Sequence, residues 1–261
     1  MKNYTECATH VDSPPTKAKA SFTSAGSFTH VDLPPIKAKF AFTLAEVLIT
    51  LGIIGIVAAM TIPALMANIS DRKNSAMLKE DYSILKQMML LANDAGAVGS
   101  FPKSDDMQQM KNWFETFVQP HIKTTEVCYN RWGCWNKDVK ISNGSKYQGN
   151  TICGNGTVSF IMTNGSFVCM DDAGDGRFGV LTNGATTMVM LVDLNGDKQP
   201  NVIGKDIFAF ALKDDQLLPG GYDMTEQQIN QNCSLTGSGS YAGTYCTVKA
   251  ARQNFKLPVL K

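Results

Sequence analysis

Histidine is nearly missing from this chain. Of 261 residues only His10, His30 and His121 are histidine, and no Gly-x-Ser-x-Gly, His-Glu-x-x-His or glycine-rich phosphate loop occurs. That scarcity argues against Ser-His nucleophilic catalysis and against multi-histidine metal chemistry, so the expectation is that the protein is not an enzyme. The acidic stretch of Asp171, Asp172 and Asp175 reads as a solvated turn. Charge is scarce too: charged residues make up 18% of the chain, and they balance to a net +1. Without a basic excess there is no expected phosphate-binding surface, and no nucleic-acid partner is indicated. Cys-x-x-Cys is also absent among the seven cysteines, which removes support for zinc ribbons and thioredoxin-type redox motifs.

What is present is a long apolar run with a charge in the wrong place. Residues 47–70 are 24 consecutive uncharged positions. As a helix they extend about 36 Å, enough to cross a bilayer core of about 30 Å. Lys37 and Lys39 precede the run, so the positive-inside tendency predicts a cytoplasmic N-terminus and an exported C-terminal domain. Ala64 to Ala67 lead straight on into a helical pattern, without the break that a signal-peptide cleavage site after the run would need. Glu46, however, sits about a turn inside the apolar stretch. A carboxylate at the middle of such a helix costs about 2.5 to 3.5 kcal/mol, less near its end, so Glu46 needs a partner or an escape to water.

The residues around Glu46 supply a reason. Lys39-Phe40-Ala41 followed by Phe42-Thr43-Leu44-Ala45-Glu46 and the apolar stretch resembles the processing site of type IV pilins and type II secretion pseudopilins. The resemblance covers about residues 37–70, with Ala41 standing where the family usually has Gly. It implies that a prepilin peptidase cuts after Ala41 and methylates the new amine of Phe42. Pro63 stands where the family has a proline. It further implies that Glu46 of one subunit neutralises the Phe42 amine of its neighbour in a filament core, a buried ion pair that fixes stagger. The implied partners are the peptidase, other copies of the chain or related pilins, and an inner-membrane assembly machinery. The implied location is the bacterial inner membrane as a single pass, then a periplasmic or extracellular filament. Three readings follow: a structural pilus subunit, a pseudopilin of a type II secretion system, or a minor or tip pilin whose exported domain binds a ligand such as a glycan or DNA. The 220 residues after Ala41 favour a pilus or tip role over a small pseudopilin.

The expected organisation is a leader over 1–41 that is removed, a transmembrane and filament-core helix over 42–70, its amphipathic continuation over 71–99, and an exported globular domain over 100–261. The leader carries a near-repeat: Thr9 to Thr23 and Thr29 to Thr43 match at 11 of 15 positions. With its Pro-Pro pairs and few apolar residues it reads as disordered, and the repeat as a duplication without a role. In the continuation, Leu78, Tyr82, Leu85, Met89 and Ala92 form an apolar stripe, with Lys79, Glu80, Asp81 and Lys86 assigned to other faces. Gly96 and Gly99 end this helix; a second is expected to open at Ser104 and run to about Val118.

From about Cys128 the pattern turns to strands. Residues 157–170 predict a hairpin about Asn164-Gly165, and 186–193 and 206–212 predict two further strands. The expected fold class is α+β, a long N-terminal helix packed on an antiparallel sheet in the manner of pilins. Cys7 lies in the leader, leaving six cysteines, an even set that suits disulfides in an exported domain. Short loops across Gly- and Asn-rich turns favour Cys128–Cys134, Cys153–Cys169 and Cys233–Cys246, the last resembling the C-terminal disulfide loop of pilins. Asn-x-Ser/Thr sequons at Asn143, Asn155, Asn164 and Asn232 read as turn chemistry. Asp193, Asn195, Asp197 and Asp206 place oxygen donors in one loop; the favoured reading is a plain turn between strands, with no cofactor expected, and a Ca²⁺ site on these four residues is the alternative.

Overall fold

The computed structural model describes residues 42–102, 106–129, 134–135, 138–147, 153, 157–172, 181–182, 188–239 and 241–260. The chain divides into two units, Met1–Ile53 and Ile54–Lys261. In the first unit the described residues form the opening turns of a helix, with large apolar side chains exposed. The leader and its repeat lie outside the described residues.

Helix α1 spans Leu44–Asp94 and contains Pro63. It stops where Gly96 adopts a positive φ of 91°, a left-handed conformation that glycine takes without steric cost. Next comes a helical segment whose start differs from expectation. Asp106 caps α2 (Met107–Trp113), its carboxylate accepting from the N–H groups of Gln108 and Gln109, and these bonds hold its pKa below the usual value. Ser104 lies outside the described residues. A π-helical turn, Phe114–Val118, and a 3₁₀ turn, Gln119–His121, close the segment.

Six strands then form one antiparallel meander in sequence order: β1 Thr124–Cys128, β2 Val158–Met162, β3 Phe167–Asp172, β4 Met188–Asp193, β5 Ile207–Lys213 and β6 Gln216–Pro219. The β2–β3 turn uses Gly165 at φ 91°, with Ser166 N–H donating to the Asn164 side chain. Two short helices, α3 Glu226–Asn232 and α4 Cys246–Arg252, complete the chain, α3 opening with a Thr225–Gln228 capping box. The architecture is therefore α+β, with a six-stranded antiparallel sheet and one long apolar N-terminal helix.

Both faces of the central strands are buried, which explains why β4 and β5 read as unbroken apolar runs. One buried cluster contains Val158, Phe160, Met170, Met190, Phe208 and Phe210, together with Leu78, Leu85, Met88, Met89 and Ala92 of α1 and Trp113 and Phe114. The other contains Cys169, Leu191, Ala209 and Ala211 with Trp135, Ile141, Tyr147 and Ile203. One residue of α1 contradicts the sequence reading. Asp81 is fully buried and lies in the same helical stripe as Leu78 and Leu85.

Candidate functional site

The apolar half of α1 is long and hydrophobic enough to cross a membrane over Leu44–Pro63, and none of it is buried. Apolar side chains are exposed all round this segment, among them Leu48, Ile49, Leu51, Ile53, Ile56 and Met60. Its hydroxyls are satisfied within the helix: Thr50 Oγ1 donates to the Val47 carbonyl and Thr61 Oγ1 to the Val57 carbonyl. Such internal pairing is what a hydrocarbon surround demands. Beyond the chain neighbours and the local helix backbone, no atom lies within 4 Å of where a Cβ would stand on Gly52 or Gly55, so both are open to close approach.

Glu46 closes a local device that sequence reading missed. Its Oε2 accepts from Thr43 N–H and from Thr43 Oγ1, each at 2.8 Å, and Thr43 Oγ1 accepts from Glu46 N–H at 3.2 Å. This is a capping box, legible as Thr43-x-x-Glu46, and it puts a negative charge at the helix N-terminus, where the dipole favours it. Phe42 is 83% exposed, immediately before the cap. Ala41 lies outside the described residues.

Three cysteine pairs stand at disulfide distance: Cys128–Cys134, Cys153–Cys169 and Cys233–Cys246, with Cα separations of 5.6, 6.0 and 4.9 Å. Among the described residues one group of metal-ligating side chains converges, Glu126, Cys128 and Cys134. Its two sulfurs are committed to each other, which leaves no thiolate for a metal.

The Asp193–Asp206 loop is organised by hydrogen bonds. Asp206 Oδ1 accepts from Val202 N–H at 2.6 Å, and its Oδ2 accepts from Asn201 N–H at 2.9 Å and Asn195 Nδ2 at 3.0 Å. Burial raises the Asp206 pKa and these donors oppose the rise. Asp193 Oδ1 accepts from Asn195 N–H at 3.1 Å. The carboxylates of Asp193, Asp197 and Asp206 form no three-carboxylate cluster, and Asp197 is exposed. The buried side-chain oxygens of the loop that lack a hydrogen bond are the neutral Asn195 Oδ1 and Asn201 Oδ1. As a donor set for Ca²⁺, which takes six to eight oxygens with several carboxylates, the loop fits poorly.

Three of the four sequon asparagines have structural duties for the side-chain nitrogen. Asn143 Nδ2 donates to the Gly237 carbonyl, Asn164 Nδ2 to Asp81 and Asn232 Nδ2 to the Tyr241 carbonyl. Asn155 lies outside the described residues. His121 is exposed at the end of the 3₁₀ turn.

No protein-family model, curated protein or solved structure matches this chain.

Proposed function

We propose that the protein is a structural subunit of a type IV pilus-like filament, cut by a prepilin peptidase between Ala41 and Phe42 and assembled through α1. The observation that carries this reading is the conjunction at one helix end. A Phe-Thr-Leu-Ala-Glu start stands directly before an apolar span that is unpartnered on every side. A lone exported domain has no use for such a helix, whereas a subunit anchored in a bilayer and then bundled with its neighbours uses every face of it.

The pilin-like arrangement, with the second half of α1 laid against the sheet, is supported by the shared buried cluster and by contacts of Asp81 and Tyr82. Tyr82 stacks on Phe210 at 5.5 Å between ring centroids, its hydroxyl donates to the Leu217 carbonyl, and Asp81 accepts from Asn164 in the β2–β3 turn. For the Asp193–Asp206 loop the favoured reading is a turn held by its own hydrogen bonds.

Glu46 has two duties in this account, a local cap and an intersubunit partner for the Phe42 amine, and two substitutions separate them. Glu46→Gln keeps an oxygen for Thr43 but removes the charge; Glu46→Ala removes both. Both variants are expected to insert in the membrane and export their domain, and neither to enter sheared filaments. Filament incorporation of Glu46→Gln at the wild-type level would show that the cap alone matters and would defeat the proposed pairing.

A further inference from the structure

Asp81 is a buried titratable group that the assembly reading leaves unused. It has no exposed surface, and its Oδ1 accepts a 2.6 Å hydrogen bond from Asn164 Nδ2. Oδ2 is buried without a bond of acceptable geometry, and so is Ser166 Oγ, although that hydroxyl is near enough to act on the carboxylate. The same turn is fixed from within, since Asn164 Oδ1 accepts from Ser166 N–H. Asn164 therefore ties two elements together: its oxygen shapes the turn and its nitrogen holds the helix.

The charge on Asp81 is poorly compensated. No lysine or arginine makes an ion pair with it among the described residues. The turn that faces it offers Asn164 and Ser166, neither of which titrates, and on its own helix Glu80 adds like charge. A buried carboxylate with one firm donor is worse solvated there than in water.

We infer that Asp81 is a proton-operated latch between α1 and the β2–β3 turn, holding the helix more firmly in mildly acidic than in neutral surroundings. A proton on Oδ2 removes the buried charge and supplies a donor toward Ser166 Oγ, while Oδ1 keeps its bond from Asn164. Burial raises the Asp81 pKa from 3.8 to about 6, against the smaller opposing effects of Ser166 and Asn164. Between those two values the folded chain binds more protons than the unfolded one, so stability from this group grows as pH falls through about 6 and is lost as pH rises. The inference stands apart from the filament reading, because it concerns a joint inside one subunit.

The test is denaturant unfolding of the full-length protein in detergent, wild type against Asp81→Asn, at about pH 7.5 and about pH 5. From this group alone the wild-type folding equilibrium constant should be about tenfold larger at the lower pH than at the higher. Asp81→Asn carries the neutral form permanently, so it should be the more stable protein at the higher pH and lack that tenfold gain. Equal pH dependence in the two proteins would overturn the latch. If the variant fails to fold, the carboxyl ¹³C shift of Asp81 in the wild type still decides: a midpoint near pH 6 supports the inference, and one in the ordinary aspartate range refutes it.

Discussion

Asp206 and Asp81 are both buried carboxylates, and their surroundings set them apart. Asp206 is surrounded by N–H groups, two from the backbone and one from Asn195, whereas Asp81 has one firm donor. Asp206→Ala would leave the buried N–H groups of Asn201 and Val202 without acceptors, and is expected to cost about 2 to 3 kcal/mol. Urea unfolding would measure it; a loss well under 1 kcal/mol would mean that the loop does not depend on Asp206. Sequence reading placed these residues unequally. Asp206 stands out because oxygen donors crowd its loop, and both of its oxygens accept N–H groups. Asp81 was assigned to a polar face by residue type, yet it lies three residues after Leu78 and four before Leu85, inside the buried stripe. The period pointed one way and the chemistry the other. Glu46 stands out by its charge, whereas its Thr43 cap shows only as a Thr-x-x-Glu spacing before the apolar run.

At the scale of elements, what could be read depended on how strong each local signal was. The β2–β3 hairpin announced itself through Asn164-Gly165, and β4 and β5 through β-prone apolar runs that two buried faces now account for. The edge strands β1 and β6 were missed: β1 is partly exposed along its length, and β6 is four residues ending in proline, so neither carries an apolar period. The opening of α2 was misplaced because Ser104, Asp105 and Asp106 are all good caps, and the choice among them is made by the position of the first turn. The Asp193–Asp206 loop is an element with its own test. Thermal unfolding of the whole protein in detergent should give the same midpoint with millimolar Ca²⁺ as with chelator, because both Asp206 oxygens already accept N–H groups and the loop's carboxylates do not converge. A clear rise with Ca²⁺ would restore the cation site, since a ligand that binds the folded state alone must stabilise it.

For the molecule as a whole, the local-loop argument from sequence and the structure arrive at the same three cysteine pairs. In the processed chain proposed above, which lacks Cys7, the unfolded but unreduced protein should take up no thiol label, and reduction should lower its unfolding midpoint. A disulfide around a loop the size of residues 233–246 is worth about 3 kcal/mol in the chain-entropy model. Labelling at two or more sites would contradict three disulfides. The α+β class was legible because helix and strand periods occupy separate halves of the chain. The account as a whole rests on what happens just before that helix. Everything proposed about assembly requires a free, positively charged amine on Phe42, one turn from Glu46, and the intact mass of protein extracted from its native membrane reads this directly. The account predicts the mass of residues 42–261 with three disulfides and one added methyl group; a mass that retains residues 1–41 would contradict it.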